Sequence, residues 1–176
     1  MTLEQHIRTV ADYPKKGVQF RDLTPLLGDG QTFSATIETL RARYQPLRLN
    51  RVAAIEARGF IVGAPLACAL GVGFIPIRKK GKLPFTTLSC EDQLEYGMDA
   101  MEMHTDALRA GDRVLLVDDV LATGGTAKAA ARLIKKAGGQ LVEIAFLLNL
   151  ADLGGAAQLT TLGYPFYCLH TLSDPG

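Results

Sequence analysis

Residues 114–127 constrain the fold of this chain more than any other stretch, because an apolar run, two acids and a glycine turn follow one another in the order VLLVDDVLATGGTA. Four consecutive apolar residues predict a strand buried on both faces, as in parallel sheets that are covered by helices. Residues 125–137 have the pattern of a helix that ends at Gly138 and Gly139. A strand, a tight turn and a helix in immediate succession are the repeating unit of α/β proteins.

The same succession recurs elsewhere in the chain. Residues 52–55 form an apolar run that leads into a helical segment ending near residue 70. Residues 73–77, 141–148 and 159–169 are further candidate strands. We therefore predict an α/β fold with a mainly parallel, twisted sheet that is flanked by helices.

The N-terminal part has a different pattern. Residues 2–10 combine a capping box with apolar residues at helical spacing, which predicts a short helix. Residues 14–31 are rich in Pro and Gly and predict irregular structure, whereas residues 33–44 have the spacing of an amphipathic helix. We expect a single domain, in which residues 1–32 form an appendage on a core of residues 33–176.

Composition excludes several classes of partner. The formal net charge of +1 provides no general attraction to nucleic acids or membranes. Cys68, Cys90 and Cys168 form no CxxC pair and the three histidines are isolated, which argues against a disulfide framework or a zinc site and for a reducing compartment. The first residues do not have the pattern of a signal peptide, and no run approaches the roughly 20 apolar residues of a membrane span. We expect a cytoplasmic protein that binds neither nucleic acids nor membranes.

Two acids and a glycine turn are expected to meet at one edge of the sheet. Ligands of open α/β sheets bind beyond the carboxyl ends of the strands, where Asp118 and Asp119 follow the strand of residues 114–117. Ionised carboxylates accept hydrogen bonds from hydroxyl groups, and a glycine turn that opens a helix attracts an anion. The turn has no Walker lysine, so it suits a single terminal phosphate, and a ribose 5-phosphate meets both requirements. The alternative is an acidic turn that only caps the helix.

The stretch of residues 114–127 resembles the phosphoribosyl pyrophosphate (PRPP) motif of the type I phosphoribosyltransferases. Four further segments resemble the branch of that family that acts on adenine: GVQFRDLTPLL at 17–27, IEARGFIVGAPLA at 55–67, RKKGKLP at 78–84 and LEYGMD at 94–99. The resemblance implies purine salvage by a transferase that converts adenine and PRPP into AMP and pyrophosphate. It also implies Mg²⁺ as a cofactor, bound mainly through PRPP and pyrophosphate rather than by protein ligands, and a homodimer.

The resemblance also implies which residues bind each part of the substrates. Asp118 and Asp119 would hold the ribose hydroxyls. The residues implied in binding the 5-phosphate are Ala122, Thr123, Gly124, Gly125 and Thr126. The residues implied in binding pyrophosphate are Ala57, Arg58, Gly59, Arg78, Lys79 and Lys82. For the loop of the first three, the resemblance implies a strained backbone such as a non-proline cis peptide. The last three of these residues lie in a run without a nearby acid, which a solvated face would normally balance, and would serve the neighbouring subunit's site. The alternative is an ordinary basic turn on the surface.

The base would be recognised by the N-terminal appendage, acting as a hood over the site. An aromatic ring can stack on a purine, so Phe20 is the candidate, with main-chain groups near Gln19 and Arg21 reading the adenine edge. The alternative is that Phe20 only anchors the appendage. By resemblance Glu95 is the candidate acid or base, which gives a catalytic set of Glu95, Asp118, Asp119 and Arg58.

Residues 79–97 are polar and predict a mobile loop or a hairpin, which the resemblance makes a lid over the site. Asp92 stands where many family members have a tyrosine, so lid contacts of that tyrosine are not expected. Two other functions stay open: a phosphoribosyltransferase for another purine such as xanthine, and a PRPP-sensing regulator. A regulator would need a DNA-binding module of about 70 residues, and only about 50 precede the first predicted strand of the sheet, at residues 52–55.

Overall fold

The computed structural model describes residues 3–94 and 97–173. Short 3₁₀ turns lie at Leu3–His6, Gln45–Leu47 and Ala151–Leu153. In chain order the helices and strands are β1 Arg8–Ala11, β2 Gln19–Asp22, α1 Thr24–Gly28, α2 Gly30–Tyr44, β3 Arg51–Ile55, α3 Arg58–Leu70, β4 Gly73–Lys79, β5 Thr87–Leu94, β6 Gly97–His104, β7 Arg113–Leu121, α4 Gly125–Lys136, β8 Gln140–Leu150, α5 Gly155–Thr161 and β9 Phe166–Leu172.

Seven strands form one sheet in the order β5-β6-β4-β3-β7-β8-β9. The five strands from β4 to β9 in this order are parallel, whereas β6 pairs antiparallel with both β4 and β5. The prediction of an α/β fold with a mainly parallel sheet is therefore confirmed. β5 and β6 also confirm the hairpin rather than the loop for this segment, and residues 95–96 between them lie outside the described residues.

Helices cover both faces of this sheet. One face packs against α4 and α5, with Leu133 and Leu159 in its core, and the other packs against α1, α2 and α3, with Leu26, Tyr44 and Leu66 in its core. The central strands are short apolar runs because both of their faces are buried in this way. Among the described residues no helix is long and apolar enough to cross a membrane.

The prediction for the N-terminal part is wrong in two places. The helix expected over residues 2–10 is a single 3₁₀ turn at Leu3–His6 followed by β1. The segment of residues 14–31, expected to be irregular, contains β2 and α1. Pairing of β1 with β2, in which Val10 lies opposite Phe20, joins residues that helical periodicity cannot connect. The division of the chain at residue 32 stays a prediction, and α2 begins shortly before it.

The C-terminal part differs from expectation as well. Residues 159–169 do not form one strand, because α5 ends at Thr161 and β9 begins at Phe166. Leu159 lies on α5 and is fully buried, so its apolar character reflects helix packing.

Strand β7 is longer than expected. It continues to Leu121, so Asp118 and Asp119 lie within the last residues of the strand rather than after it.

Candidate active site

A cavity of about 570 Å³ opens at the carboxyl ends of the parallel strands, beneath the ribbon of β1 and β2. It is lined from several elements that are distant in sequence. The residues that line it are Val18, Gln19, Phe20, Arg21, Ile55, Glu56, Ala57, Arg58, Lys79, Met101, Asp118, Asp119, Val120, Ala122, Thr126, Ala129, Leu150 and Leu153.

Most of the predicted site residues meet at this cavity. Those that line it are Gln19, Phe20, Arg21, Ala57, Arg58, Lys79, Asp118, Asp119, Ala122 and Thr126. Those that do not are Gly59, Arg78, Lys82, Thr123, Gly124 and Gly125. Glu95, the candidate acid or base, lies outside the described residues.

Asp118 and Asp119 form a compact acidic pair in the cavity wall. The main-chain N–H of Asp119 donates to Oδ1 of Asp118 at 2.9 Å. The Nε of Arg58 donates to Oδ2 of Asp119, whose side chain is only 8% exposed. The guanidinium of Arg58 thus reaches back from the start of α3 to the end of β7 and neutralises one of the two acids.

Burial and the neighbouring charge of Asp119 raise the pKa of Asp118 well above its usual range, and Arg58 only partly opposes this. Two close carboxyls rarely both ionise without a cation beside them, and Arg58 contacts Asp119 rather than Asp118. Asp118 is therefore the member of the pair that most needs hydrogen-bond donors from a ligand. Hydroxyl groups of a sugar supply such donors.

Gly59 allows α3 to approach the acidic pair. A Cβ atom at residue 59 would lie 3.0 Å from Oδ1 of Asp118 and 3.1 Å from the main-chain oxygen of Val117. Any side chain here would therefore press against the end of β7. Gly59 therefore contributes to the site by its lack of a side chain, although it does not itself line the cavity.

The glycine turn after β7 is shaped by Gly124, which has a φ of 86° and immediately precedes α4. Glycine adopts this left-handed conformation without the cost that a side chain would add. The N–H of Gly155 donates to the main-chain oxygen of Ala122 at 3.0 Å, which braces the turn against α5. The first N–H groups of α4 have no partner within the helix, so the turn presents donors and partial positive charge at the cavity.

The loop between β3 and α3 carries a cis peptide bond between Glu56 and Ala57, as the family resemblance led us to expect. Glu56 accepts hydrogen bonds from Nε and Nη2 of Arg78 at 3.1 and 2.9 Å, and from the N–H of Lys79. Burial tends to raise the pKa of Glu56, but the bonds from Lys79 and Arg78 outweigh it and lower the pKa. The acid that the sequence lacks beside Arg78 and Lys79 is therefore supplied by Glu56, which lies 22 and 23 positions away in the chain.

We call residues 79–83, KKGKL, the basic turn. It directly follows Arg78, which forms an ion pair with Glu56. Arg78 also donates from Nη1 to the main-chain oxygen of Lys82 at 3.0 Å. Only Lys79 of this turn lines the cavity, while Lys82 is exposed and does not line it. The fold thus uses Arg78 to join the cis-peptide loop to the basic turn.

Phe20 lies in the cavity wall contributed by β2. Its ring contacts Tyr13 edge-on, with centroids 5.1 Å apart, and the guanidinium carbon of Arg58 lies 5.7 Å from its centroid. Arg21 is held by a bond from Nη1 to the hydroxyl of Thr9 on β1. The ribbon therefore presents an aromatic surface to the cavity at the side where Arg58 enters.

The sequence interpretation missed the apolar part of the lining. Leu150 ends β8 and Leu153 follows it, and the rule that places ligands at the carboxyl ends of parallel strands would have pointed to both. Met101 comes from the antiparallel strand β6, for which that rule gives no signal. These residues give the lining an apolar part, of the kind that a planar base requires.

Comparisons with known proteins agree with this geometry. The family model of the phosphoribosyl transferase domain matches residues 38–155. The chain is 53% identical to the adenine phosphoribosyltransferase of Nitrosospira multiformis, over 96% of this chain and 97% of that protein.

Solved structures give the same picture. The adenine phosphoribosyltransferase of Thermoanaerobacter pseudethanolicus superposes with a TM-score of 0.91 at 48% identity, covering 97% of this chain and 98% of that one. The enzyme of Saccharomyces cerevisiae, solved with an imino-altritol bisphosphate and adenine, superposes with a TM-score of 0.89 at 33% identity, covering 95% and 96%.

Proposed function

We infer that this chain, which belongs to the phosphoribosyltransferase family and within it to the adenine phosphoribosyltransferases, converts adenine and PRPP into AMP and pyrophosphate. It is thus a pentosyltransferase of purine salvage. The observation that carries this inference is one cavity in which an acidic pair adjoins a glycine turn, in a chain similar to such enzymes over nearly its full length. None of the relatives named above is described as acting on another purine or as a regulator.

We propose that the cavity holds the ribose 5-phosphate between the acidic pair and the glycine turn. Asp118 and Asp119 would accept hydrogen bonds from the two neighbouring hydroxyls. The main-chain donors of residues 122–126 and the hydroxyls of Thr123 and Thr126 would surround the phosphate. The left-handed backbone of Gly124 supports this role, because it turns the chain from the end of β7 directly into α4. This binding fixes the sugar for reaction.

Arg58 is proposed to exchange partners when PRPP binds. In the structure its guanidinium pairs with Asp119 and lies near the ring of Phe20. The pyrophosphate of PRPP offers a larger negative charge, and ribose hydroxyls can replace Arg58 as donors to Asp119. Arg58, with the main chain of Ala57 and Gly59, would then stabilise the charge that develops on the leaving group.

The base is proposed to lie on the Phe20 side of the cavity. Stacking on Phe20 would orient the purine plane, and main-chain groups of Gln19 and Arg21 would pair with the N1 and N6 edge. A 6-oxopurine presents the opposite order of donor and acceptor and would leave those groups unpaired. Glu95 is proposed to manage the proton of the incoming base.

Reaction would proceed by attack of N9 of adenine at C1 of the ribose, as the bond to pyrophosphate breaks. Positive charge grows on the sugar, and negative charge grows on the leaving group. The carboxylates of Asp118 and Asp119 would lie near the positive charge on the sugar. Arg58 and Lys79 would lie near the negative charge on the leaving pyrophosphate. Groups placed where charge develops lower the barrier more than they strengthen substrate binding.

We propose Mg²⁺ as the cofactor, bound mainly through the oxygens of PRPP and pyrophosphate. Asp118 and Asp119 offer carboxylate oxygens in the cavity wall, the ligand type that Mg²⁺ prefers, whereas within residues 3–94 and 97–173 no group of three or more acidic, histidine or cysteine side chains is placed to hold a metal ion, so PRPP would supply most of the ligands. When bound, Mg²⁺ supplies positive charge to the leaving pyrophosphate.

We further propose a homodimer, a cytoplasmic location and a lid formed by residues 79–96. Lys82 supports the dimer, because it is exposed and does not line the cavity of its own chain, so its ammonium group would be available to a partner's site. Sedimentation equilibrium would measure the oligomeric state, and a monomer at the concentration of the activity assay would contradict the dimer.

The test of the function is to incubate the protein with PRPP, Mg²⁺ and one base at a time, using adenine, hypoxanthine, guanine, xanthine and orotate, and to identify the nucleotide. We expect AMP from adenine and at most traces from the other bases. A preference for xanthine or hypoxanthine, or no product at all, would contradict the function.

Arg58→Ala tests the pyrophosphate assignment within the same assay. We expect the KM for PRPP to rise by about tenfold or more, the order of a lost hydrogen bond to a charged group, with the KM for adenine nearly unchanged. Arg41→Ala, at a half-buried arginine on α2 that pairs with Glu38 and does not line the cavity, is the matched control. Equal losses for both substrates would refute the role of Arg58.

A further inference from the structure

Glu102 is a buried acid for which the reaction described above gives no role. It lies on β6 with only 4% of its surface exposed. Its neighbours Met101 and Met103 contribute to the sheet core, so strand alternation places Glu102 on the opposite face. Burying a carboxyl group is costly unless it accepts hydrogen bonds, so its partners indicate why it is there.

The partners of Glu102 belong to the basic turn. Its Oε1 accepts from the N–H of Gly81 at 3.0 Å and from the N–H of Leu83 at 3.3 Å. In the same turn the N–H of Lys80 donates to the main-chain oxygen of Ala100 at 2.9 Å. β6 thus holds the backbone of the turn at three points. Both bonds to Oε1 come from main-chain donors, so Glu102 sets the path of the backbone from which the lysine side chains extend.

The turn is held from its other end by Glu56. Glu56 accepts from the N–H of Lys79 and from the guanidinium of Arg78, which in turn donates to Lys82. Glu56 and Lys79 both line the cavity. The position of Lys79 in the cavity wall therefore depends on a turn fixed by two carboxyl groups, one of them in the cis-peptide loop and the other, Glu102, beneath the turn.

We propose that Glu102 is a positioning residue for pyrophosphate: by holding the backbone of residues 81–83 it places the cations of the basic turn for the leaving group. It does not touch the substrate. The inference rests on the proposed function, because it assigns the basic turn to the pyrophosphate end of PRPP. We call the hydrogen bonds from Gly81 and Leu83 to Glu102 the clamp. Loss of the clamp then weakens interactions with PRPP and pyrophosphate and leaves the binding of adenine intact.

Two variants of nearly equal size separate the clamp from simple packing. Glu102→Gln keeps an oxygen that accepts both hydrogen bonds, whereas Glu102→Met fills the same space without an acceptor. We expect Glu102→Met to raise the KM for PRPP and the dissociation constant of pyrophosphate with Mg²⁺ about tenfold, the order of one or two lost hydrogen bonds. The KM for adenine should stay within about twofold, and Glu102→Gln should stay within about threefold in every constant.

Amide hydrogen exchange gives a readout that does not depend on activity. The amides of Gly81 and Leu83 should exchange faster in Glu102→Met than in the wild type and in Glu102→Gln. Should Glu102→Met fail to fold, Glu102→Asp replaces it, because a side chain shorter by one methylene withdraws the carboxyl from the turn. Glu38→Gln, at an exposed acid on α2, controls for a general effect of charge.

Several results would overturn the proposal. One is faster exchange of Gly81 and Leu83 with unchanged affinity for pyrophosphate, and another is an equal loss for adenine and PRPP. Unchanged exchange in Glu102→Met also overturns it. A wild type that forms no AMP contradicts the proposed function instead, and calorimetric titration with pyrophosphate then decides on Glu102. Binding that Glu102→Met weakens about tenfold upholds the clamp, and a wild type that binds no pyrophosphate overturns it.

Discussion

Replacing Gly59 by alanine should impair the acidic pair by a single added methyl group. Gly59 is the second residue of α3 and its φ lies outside the left-handed region, so alanine itself is not strained there. Its Cβ, however, would lie 3.0 Å from Oδ1 of Asp118, 3.1 Å from the oxygen of Val117 and 3.3 Å from Cα of Asp118. Two of these three atoms belong to the backbone of a central strand and cannot rotate away.

The expected magnitude follows from these distances. Ordinary contacts begin at 3.4 Å, so Asp118 must move by about 0.4 Å to relieve the shortest one. Since a displacement of 1 Å in a reacting group can cost about a hundredfold, we expect kcat/KM for PRPP to fall about five- to tenfold. Overpacking costs about 1–3 kcal/mol and the better helix propensity of alanine returns about 1 kcal/mol, so the free energy of unfolding should fall by about 0–2 kcal/mol.

Steady-state kinetics and urea denaturation of Gly59→Ala test this reasoning together. Gly63→Ala is the matched control one turn further along α3. Its Cβ would lie 2.6 Å from Cβ of Ala54, and none of the three atoms nearest to it belongs to Asp118. We expect Gly63→Ala to lose more stability but to keep its activity per folded molecule. Full activity in Gly59→Ala, or an equal loss of activity in Gly63→Ala, would refute the reasoning.

Three further predictions concern the pair, the turn and the core. Burial and Asp119 raise the pKa of Asp118 in the folded protein above the ordinary value of 3.8. The free energy of unfolding of the wild type therefore falls as the pH rises from 3.8 to the raised pKa, by about 1.4 kcal/mol for each pH unit. Asp118→Asn should therefore melt at a higher temperature than the wild type at pH 7 and equally near pH 3, and equal melting at pH 7 would contradict this. Gly124→Ala forces a side chain into a φ of 86° with its Cβ 2.9 Å from Oε1 of Gln158, so its affinity for AMP by calorimetry should fall by about tenfold or more. Tyr44→Phe removes a hydroxyl that donates to Glu143 at 2.6 Å, which should lower the free energy of unfolding in urea by about 1–3 kcal/mol without changing the rate of AMP formation.

The elements predicted best from the sequence are those whose cause is local. The strand, acid pair, glycine turn and helix of residues 114–127 occur as expected, because buried strands and glycine turns depend on adjacent residues. From this unit the parallel sheet and the edge that carries the cavity follow by the rule for α/β folds. The meeting of Phe20, Arg58 and Asp118 at one cavity was foreseen through the family resemblance rather than from spacing.

Partners distant in sequence were decided only by the tertiary structure. Helical spacing over residues 2–10 gave way to pairing of β1 with β2, because ladder bonds between two strands outweigh a weak local preference. Arg58 pairs with Asp119 across 61 positions, and Arg78 pairs with Glu56 across 22. Glu102 binds Gly81 of the basic turn across 21 positions. A charge or a buried acid has no periodicity that announces its partner, so only the packing of strands and helices determines which groups meet.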